Sequence, residues 1–310
     1  MRIGILGKGG SGKSTIAATL IEYFAKTHTV FAVDADQNSH LDTLLAIDKP
    51  ISLSEQSTEI KNYLRGKRTD IGDQPLIATT PPSLKSHFIR LHKDDMFLKK
   101  FATQKDNIFF VRGGTYEHED VGVTCYHGKL ETTEMMYHHL LDTESDIVIA
   151  DSTAGLDSLG HSMFFVHDCI FYIVEPTKKS IGVYLEFEEI ARKYNAQVYV
   201  IANKIESQQD IDFLTKHIPT QNIIAQFAYS SDIKKFEQGE SECFTHFQQK
   251  HKSECQKVAD CVFHIPKNWD SYYKNLLDLH KKSAESWYDA YYNAPISTQI
   301  DPSFSYKKVL

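Results

Sequence analysis

Gly7-Lys8-Gly9-Gly10-Ser11-Gly12-Lys13-Ser14-Thr15 follows the apolar run Ile3 to Leu6 and leads directly into a helical stretch beginning at Lys13. The spacing fits Gly-x-x-x-x-Gly-Lys-Ser, and the loop lies between a strand and a helix, where a phosphate-binding loop must lie. The glycines let backbone amides turn inward around phosphate oxygens, and the positive end of the helix adds to them. Lys13 is placed to reach the β- and γ-phosphates, and the Ser14 hydroxyl to ligate magnesium. Gly9, Gly10, Ser11, Gly12, Lys13, Ser14 and Thr15 are therefore the expected nucleotide contacts. A glycine-rich turn without a ligand is the plainer alternative, and the position after the first strand argues against it.

Moving outward, short β-branched and aromatic runs recur: Ile3 to Leu6, Val30 to Val33, Ile108 to Val111, Ile147 to Ala150, Ile170 to Val174, Val198 to Ala202 and Ile223 to Phe227. Each reads as a buried strand. Helical stretches alternate with them, notably Lys13 to Lys26, Lys129 to Leu141, Ile181 to Tyr194 and Gln208 to His217. The alternation predicts an α/β, doubly wound, mostly parallel sheet of the P-loop NTPase kind, with ligands at the carboxyl ends of the strands. Residues 1–265 are expected to form this domain. Residues 50–107, with Pro75, Pro81 and Pro82 and short helices such as Asp94 to Phe101, read as an irregular insertion over the active face. Residues 266–310 read as a C-terminal extension, with a Tyr/Trp-rich helical stretch from Asn268 to Asn293 and a polar tail.

At 310 residues, with 41% hydrophobic and 24% charged side chains, the chain has the composition of a folded globular protein. No apolar run approaches the roughly 18 residues a membrane helix needs, and the N-terminus resembles a strand rather than a signal segment, so a cytoplasmic address is expected. A net charge of −7 gives no electrostatic reason to bind nucleic acid. Five cysteines spread along the chain do not form a disulfide framework.

Lys8 is a second lysine inside the loop. The stretch from Lys8 to Thr15 resembles the deviant Walker A ATPases: the septum-positioning and plasmid-partition ATPases, the nitrogenase iron protein and the nickel-insertion ATPase of carbon-monoxide dehydrogenase. The resemblance covers Met1 to about Ile265, interrupted by the insertion. It implies an ATP sandwich homodimer in which Lys8 crosses to the nucleotide of the opposite subunit, stabilising charge developing between the β- and γ-phosphates. Val33-Asp34-Ala35-Asp36-Gln37-Asn38 resembles the first switch of the family, which implies that Asp36 orients the attacking water and contacts magnesium. Asp34 reads as a structural strand-end carboxylate. Lys8, Lys13 and Asp36 are thus the implied catalytic set.

Asp151-Ser152-Thr153-Ala154-Gly155 resembles the second switch, so Asp151 matches the Walker B carboxylate that holds magnesium or its water. Gly155 would let the backbone swing towards the γ-phosphate. Asn203-Lys204 resembles the base-recognition element, with Asn203 the implied adenine contact. Glu206 stands where a guanine-specific enzyme carries aspartate, so this segment alone leaves GTP open, and the resemblance favours ATP. Phe227 to Ile233 resembles the loop that walls the base pocket.

Gly122-Val123-Thr124-Cys125-Tyr126-His127-Gly128 falls where the nickel-insertion branch carries Cys-x-Cys and the iron protein one cluster cysteine. Cys125 fits the first position, and no cysteine lies between residues 152 and 168, so a bridging iron-sulfur cluster is not expected. Cys125 and His127 from two subunits would instead give two thiolates and two imidazoles, a set that suits zinc, with nickel or copper in competition. His118 would add a further donor. A helix-start thiol beside a surface histidine is the alternative. The first and second switch stretches also resemble the nickel-insertion branch most.

Trp269, Tyr272, Tyr273, Leu276, His280, Ala284, Trp287 and Tyr291 recur at helical spacing and predict an amphipathic helix. Its polar face mixes Lys with Asp and Glu, without the cationic bias that anionic lipid rewards, so docking on the body is expected rather than a membrane. The leading expectation is an ATP-switched accessory ATPase that loads metal into, or remodels, a client metalloenzyme. A positioning or partition ATPase on a membrane or nucleoid surface is the second, and an ATP-dependent ligase or kinase the third.

Overall fold

In the strands, successive side chains point to opposite faces of the sheet, and both faces here are buried. Ile3 and Ile5, Val30 and Ala32, Ile147 and Ile149, and Phe171 and Ile173 enter one core. Phe31 and Val33, and Val148 and Ala150, enter a second core, and Leu6, Tyr172 and Val174 a third on the same side. Burial on both faces explains why these runs are continuously apolar rather than alternating.

The structure is a computed structural model, and it describes residues 1–38, 40–114, 125–160 and 162–310, with the backbone alone at His127. Its strands are β1 (Arg2–Gly7), β2 (Val30–Ala35), β3 (Thr103–Lys105), β4 (Ile108–Arg112), β5 (Ile147–Ser152), β6 (Cys169–Val174), β7 (Val198–Ile205) and β8 (Ile223–Ala228). They form a sheet in the order β3-β4-β2-β5-β1-β6-β7-β8. Every pairing is parallel except that of β3 with β4. β1 is central, and the chain winds outward from it in both directions. The carboxyl ends of β1, β2, β5, β6 and β7 therefore open on one crevice.

The seven strands expected from the sequence are present. β3, three half-exposed or exposed residues, carries no apolar signal and was not foreseen. The helices Ser57–Arg65, Glu242–Lys250 and Lys252–Val262 also went unread. Lys252–Val262 packs Cys255, Val258, Ala259 and Val262 into the core beneath the helix Lys13–Phe24. The helix Glu131–His139 ends before Leu140, because Leu140 turns extended and bridges to Ile89.

Residues 50–107 bury Leu53, Ile60, Leu64, Phe97, Leu98 and Phe101 against β2 and β4. The C-terminal segment forms two helices, Trp269–Ala284 and Tyr288–Tyr292, rather than one continuous helix to Asn293. Trp269 and Tyr272 lie over the buried Arg2 guanidinium at 5.1 and 4.9 Å, while Arg2 Nε donates to Asp142 Oδ1 at 2.7 Å. The Tyr306 hydroxyl donates to the His138 carbonyl at 2.6 Å. These contacts seat the extension on the body. No helix among the described residues is long and apolar enough to cross a membrane.

Candidate functional site

β1 ends at Gly7, and the helix Lys13–Phe24 begins after a turn capped by Gly12. Gly12 has φ of 95°, and a Cβ there would collide with Asn203 Nδ2. Backbone conformation and lack of space both demand glycine. Asn203 Nδ2 donates to the Ser11 carbonyl at 2.8 Å. The Lys204 ammonium donates to the Gly10 carbonyl and to Glu175 Oε1, each at 2.7 Å. Lys204 has φ of 60°, within an irregular stretch of β7 between Ala202 and Ile205. Such an irregularity re-aims consecutive side chains, and here two of them reach the loop. Engaging two loop carbonyls with donors removes two negative dipoles that would oppose a bound phosphate. The resemblance implies an adenine contact for Asn203; in the fold Asn203 and Lys204 also reach the loop carbonyls.

Lys13 is 5% exposed, and its Nζ lies 3.7 Å from Asp36 Oδ2. Ser14 and Thr15 follow it, half-buried. Gly9 faces Ala154, and Gly155, with φ of 64°, opens the short turn Gly155–Leu159. The loop, Asp36 and the Gly155–Leu159 turn thus meet at one place.

Asp34 and Asp151 stand opposite each other on β2 and β5, both fully buried. Asp34 accepts from the amides of Leu41 at 3.2 Å and Asp36 at 3.3 Å, which fits a structural role at the strand end. Burial pushes Asp34 well above the usual carboxylate range, and the neighbouring Asp151 adds to this. Burial pushes Asp151 up to about 7, against the pull of the Ser14 hydroxyl and the Lys13 ammonium. Ser14 lies close enough to exert that pull, yet neither Asp151 oxygen completes a hydrogen bond among the described residues, and the Ser11 and Thr153 hydroxyls are likewise buried without partners. Hard oxygen donors left unpaired beside a phosphate loop fit a divalent cation.

The matching family model, the CobQ/CobB/MinD/ParA nucleotide-binding domain, extends over residues 5–241. The chain belongs to that family. An uncharacterised ATP-binding protein of Methanocaldococcus jannaschii is 30% identical over 237 residues, which cover 76% of this chain and 90% of the relative. The carbon monoxide dehydrogenase accessory protein CooC of Rhodospirillum rubrum is 26% identical over 246 residues, covering 79% of this chain and 89% of CooC. The MinD cell division protein of Aquifex aeolicus superposes with a TM-score of 0.53 at 17% identity, over 86% of this chain and 98% of that one. Apo McdA of Cyanthece gives 0.54 at 16% identity, over 83% and 98%. At these identities the two structures establish the fold alone.

Within this CobQ/CobB/MinD/ParA member, Lys8 does not extend away from its own subunit. Its Nζ donates to the Gly9 carbonyl at 2.8 Å and lies 3.3 Å from Glu175 Oε2. Glu175 follows β6 directly and was missed in the sequence, although a carboxylate just past an apolar strand is the same signal that marks Asp34 and Asp151. Cys125 is exposed immediately before the short helix Tyr126–Lys129. His118, residues 122–124 and the His127 side chain lie outside the described residues. Among the described residues no three His, Cys, Asp or Glu side chains gather to hold a transition metal.

Proposed function

We propose that this chain is an ATP-hydrolysing switch that dimerises around nucleotide and serves metallocentre assembly in the cytoplasm. The observation that carries the first half is the convergence of Lys8, Lys13, Asp36 and the unpaired Asp151 carboxylate on one loop. Lys13 and the loop amides orient the β- and γ-phosphates. Ser14, Asp36 and Asp151 would hold magnesium, which supplies charge neutralisation on the phosphates. Asp36 orients a water for in-line attack on the γ-phosphorus, so the bond to the β–γ bridging oxygen breaks and ADP and phosphate leave. Lys8 from the opposite subunit offsets negative charge growing on that oxygen.

The similarity to CooC supports the metallocentre half, and the exposed position of Cys125 is compatible with it. On this reading zinc or nickel would be held by Cys125 and His127 of two chains. A partition or positioning role is the rival. The net charge of −7 and the docked C-terminal segment weigh against a nucleoid or lipid surface.

Phosphate release separates the two hydrolytic roles. Lys13→Ala should lose nucleotide binding, whereas Asp36→Ala should bind ATP and leave it intact. Turnover by Asp36→Ala equal to wild type would remove Asp36 from the mechanism.

A further inference from the structure

Glu175 is pinned between two lysines at the mouth of the loop. Its Oε1 accepts from Lys204 at 2.7 Å and its Oε2 faces Lys8 at 3.3 Å. The carboxylate is 14% exposed and the Lys8 side chain 23%, so the pair is only partly screened. Burial would raise the carboxyl, but Lys204 and then Lys8 outweigh it and hold Glu175 below its usual range. The Glu175 carbonyl accepts from the Thr177 amide at 2.7 Å, and its amide donates to Ser180 Oγ at 3.0 Å. The residue is therefore fixed at the start of the helix Lys178–Lys193.

A lysine that must act across a dimer cannot do so while its charge rests on its own subunit. We propose that Glu175 is a positioning residue that holds Lys8 in cis and so sets the threshold for nucleotide-dependent dimerisation. This rests on the dimeric reading above. Lys204 makes the release feasible: when Lys8 leaves, Oε1 keeps its cationic partner and the carboxylate is not stranded. Lys204 also keeps its bond to Gly10, so the loop stays braced while Lys8 moves.

Glu175→Gln removes the charge yet keeps an oxygen for Lys204. The dimer dissociation constant with a non-hydrolysable ATP analogue, from sedimentation of the full chain, should tighten roughly fivefold, the scale of a partly exposed ion pair. Because Lys8 is the proposed recipient, Glu175→Gln should restore no dimer without it: Lys8→Ala and Lys8→Ala/Glu175→Gln should both stay monomeric with the analogue. Nucleotide affinity of the monomer, measured at low protein concentration, should agree within twofold for wild type and Glu175→Gln. An unchanged or weaker dimer in Glu175→Gln, or a gain that persists without Lys8, overturns the latch while leaving the dimeric reading intact. A wild type that stays monomeric with the analogue overturns both.

Discussion

Asn203 Nδ2 and the Ser11 carbonyl, 192 residues apart in the chain, meet at 2.8 Å directly over Gly12. β7, two strands from β1, thus pins the phosphate loop, and glycine is required underneath. Asn203→Ala should remove one hydrogen bond of about 0.5–1.5 kcal/mol and weaken ATP binding by roughly two- to tenfold. Gly12→Ala should abolish binding, because it meets both the collision and the left-handed backbone. Combining the two relieves only the collision, so the double variant should recover part of the binding lost by Gly12→Ala. Calorimetric ATP titration checks this, and equal affinity for Gly12→Ala and wild type would contradict the loop geometry.

The seat of the C-terminal segment should be sensitive to acid. His280 is fully buried with Nδ1 3.1 Å from Thr79 Oγ1, and burial, helped by Arg68, lowers it to about 4. His139 is lowered to about 4 by the same burial and the same arginine, and His138 lies well below its usual range. Unfolded imidazoles titrate near about 6.5, so between about 6.5 and 4 the unfolded chain binds more protons than the folded one. Stability from these groups is therefore complete above about 6.5 and is lost as pH falls towards 4. Urea unfolding across this range should show a steep loss, and His280→Leu should flatten the slope by up to one proton. A slope unchanged in His280→Leu would exclude this imidazole.

Metal binding tests the Cys125 and His127 proposal. If two chains close one tetrahedral site, zinc or nickel should bind at about one ion per dimer, and Cys125→Ser and His127→Ala should each weaken it. The ligands precede β5 and its second switch, so affinity should differ between ADP and a non-hydrolysable ATP analogue. Stoichiometry and affinity identical in all three proteins would leave Cys125 a helix-start thiol.

The loop and the strands were legible because each depends on local pattern. Glycine spacing placed Gly7 to Thr15, and continuous apolar runs marked β1, β2 and β4 to β8. Asp34 and Asp151 were legible as strand-end carboxylates, but their pairing in register depends on β2 and β5 being neighbours, which no local signal encodes. Glu175 had the same strand-end signal, but its significance needs Lys8 and Lys204, brought together from the ends of β1 and β7. The helix Lys252–Val262 was unread because it contributes only one apolar stripe, interrupted by Lys and Glu. The expected continuous helix to Asn293 breaks after Ala284. There the chain turns so that Tyr288 and Ile296 bury against Ala284.

On the proposed mechanism nucleotide switches the oligomeric state. Mass measured by light scattering during gel filtration, for Asp36→Ala with and without ATP and magnesium, tests it most directly, because hydrolysis is blocked in that variant. The protein should be a monomer of about 35.4 kDa without nucleotide and have twice that mass with ATP. Adding Lys8→Ala to the same chain should return the ATP-bound protein to monomer. A mass that does not change with ATP, in a variant shown to bind it, would contradict an ATP-switched dimer.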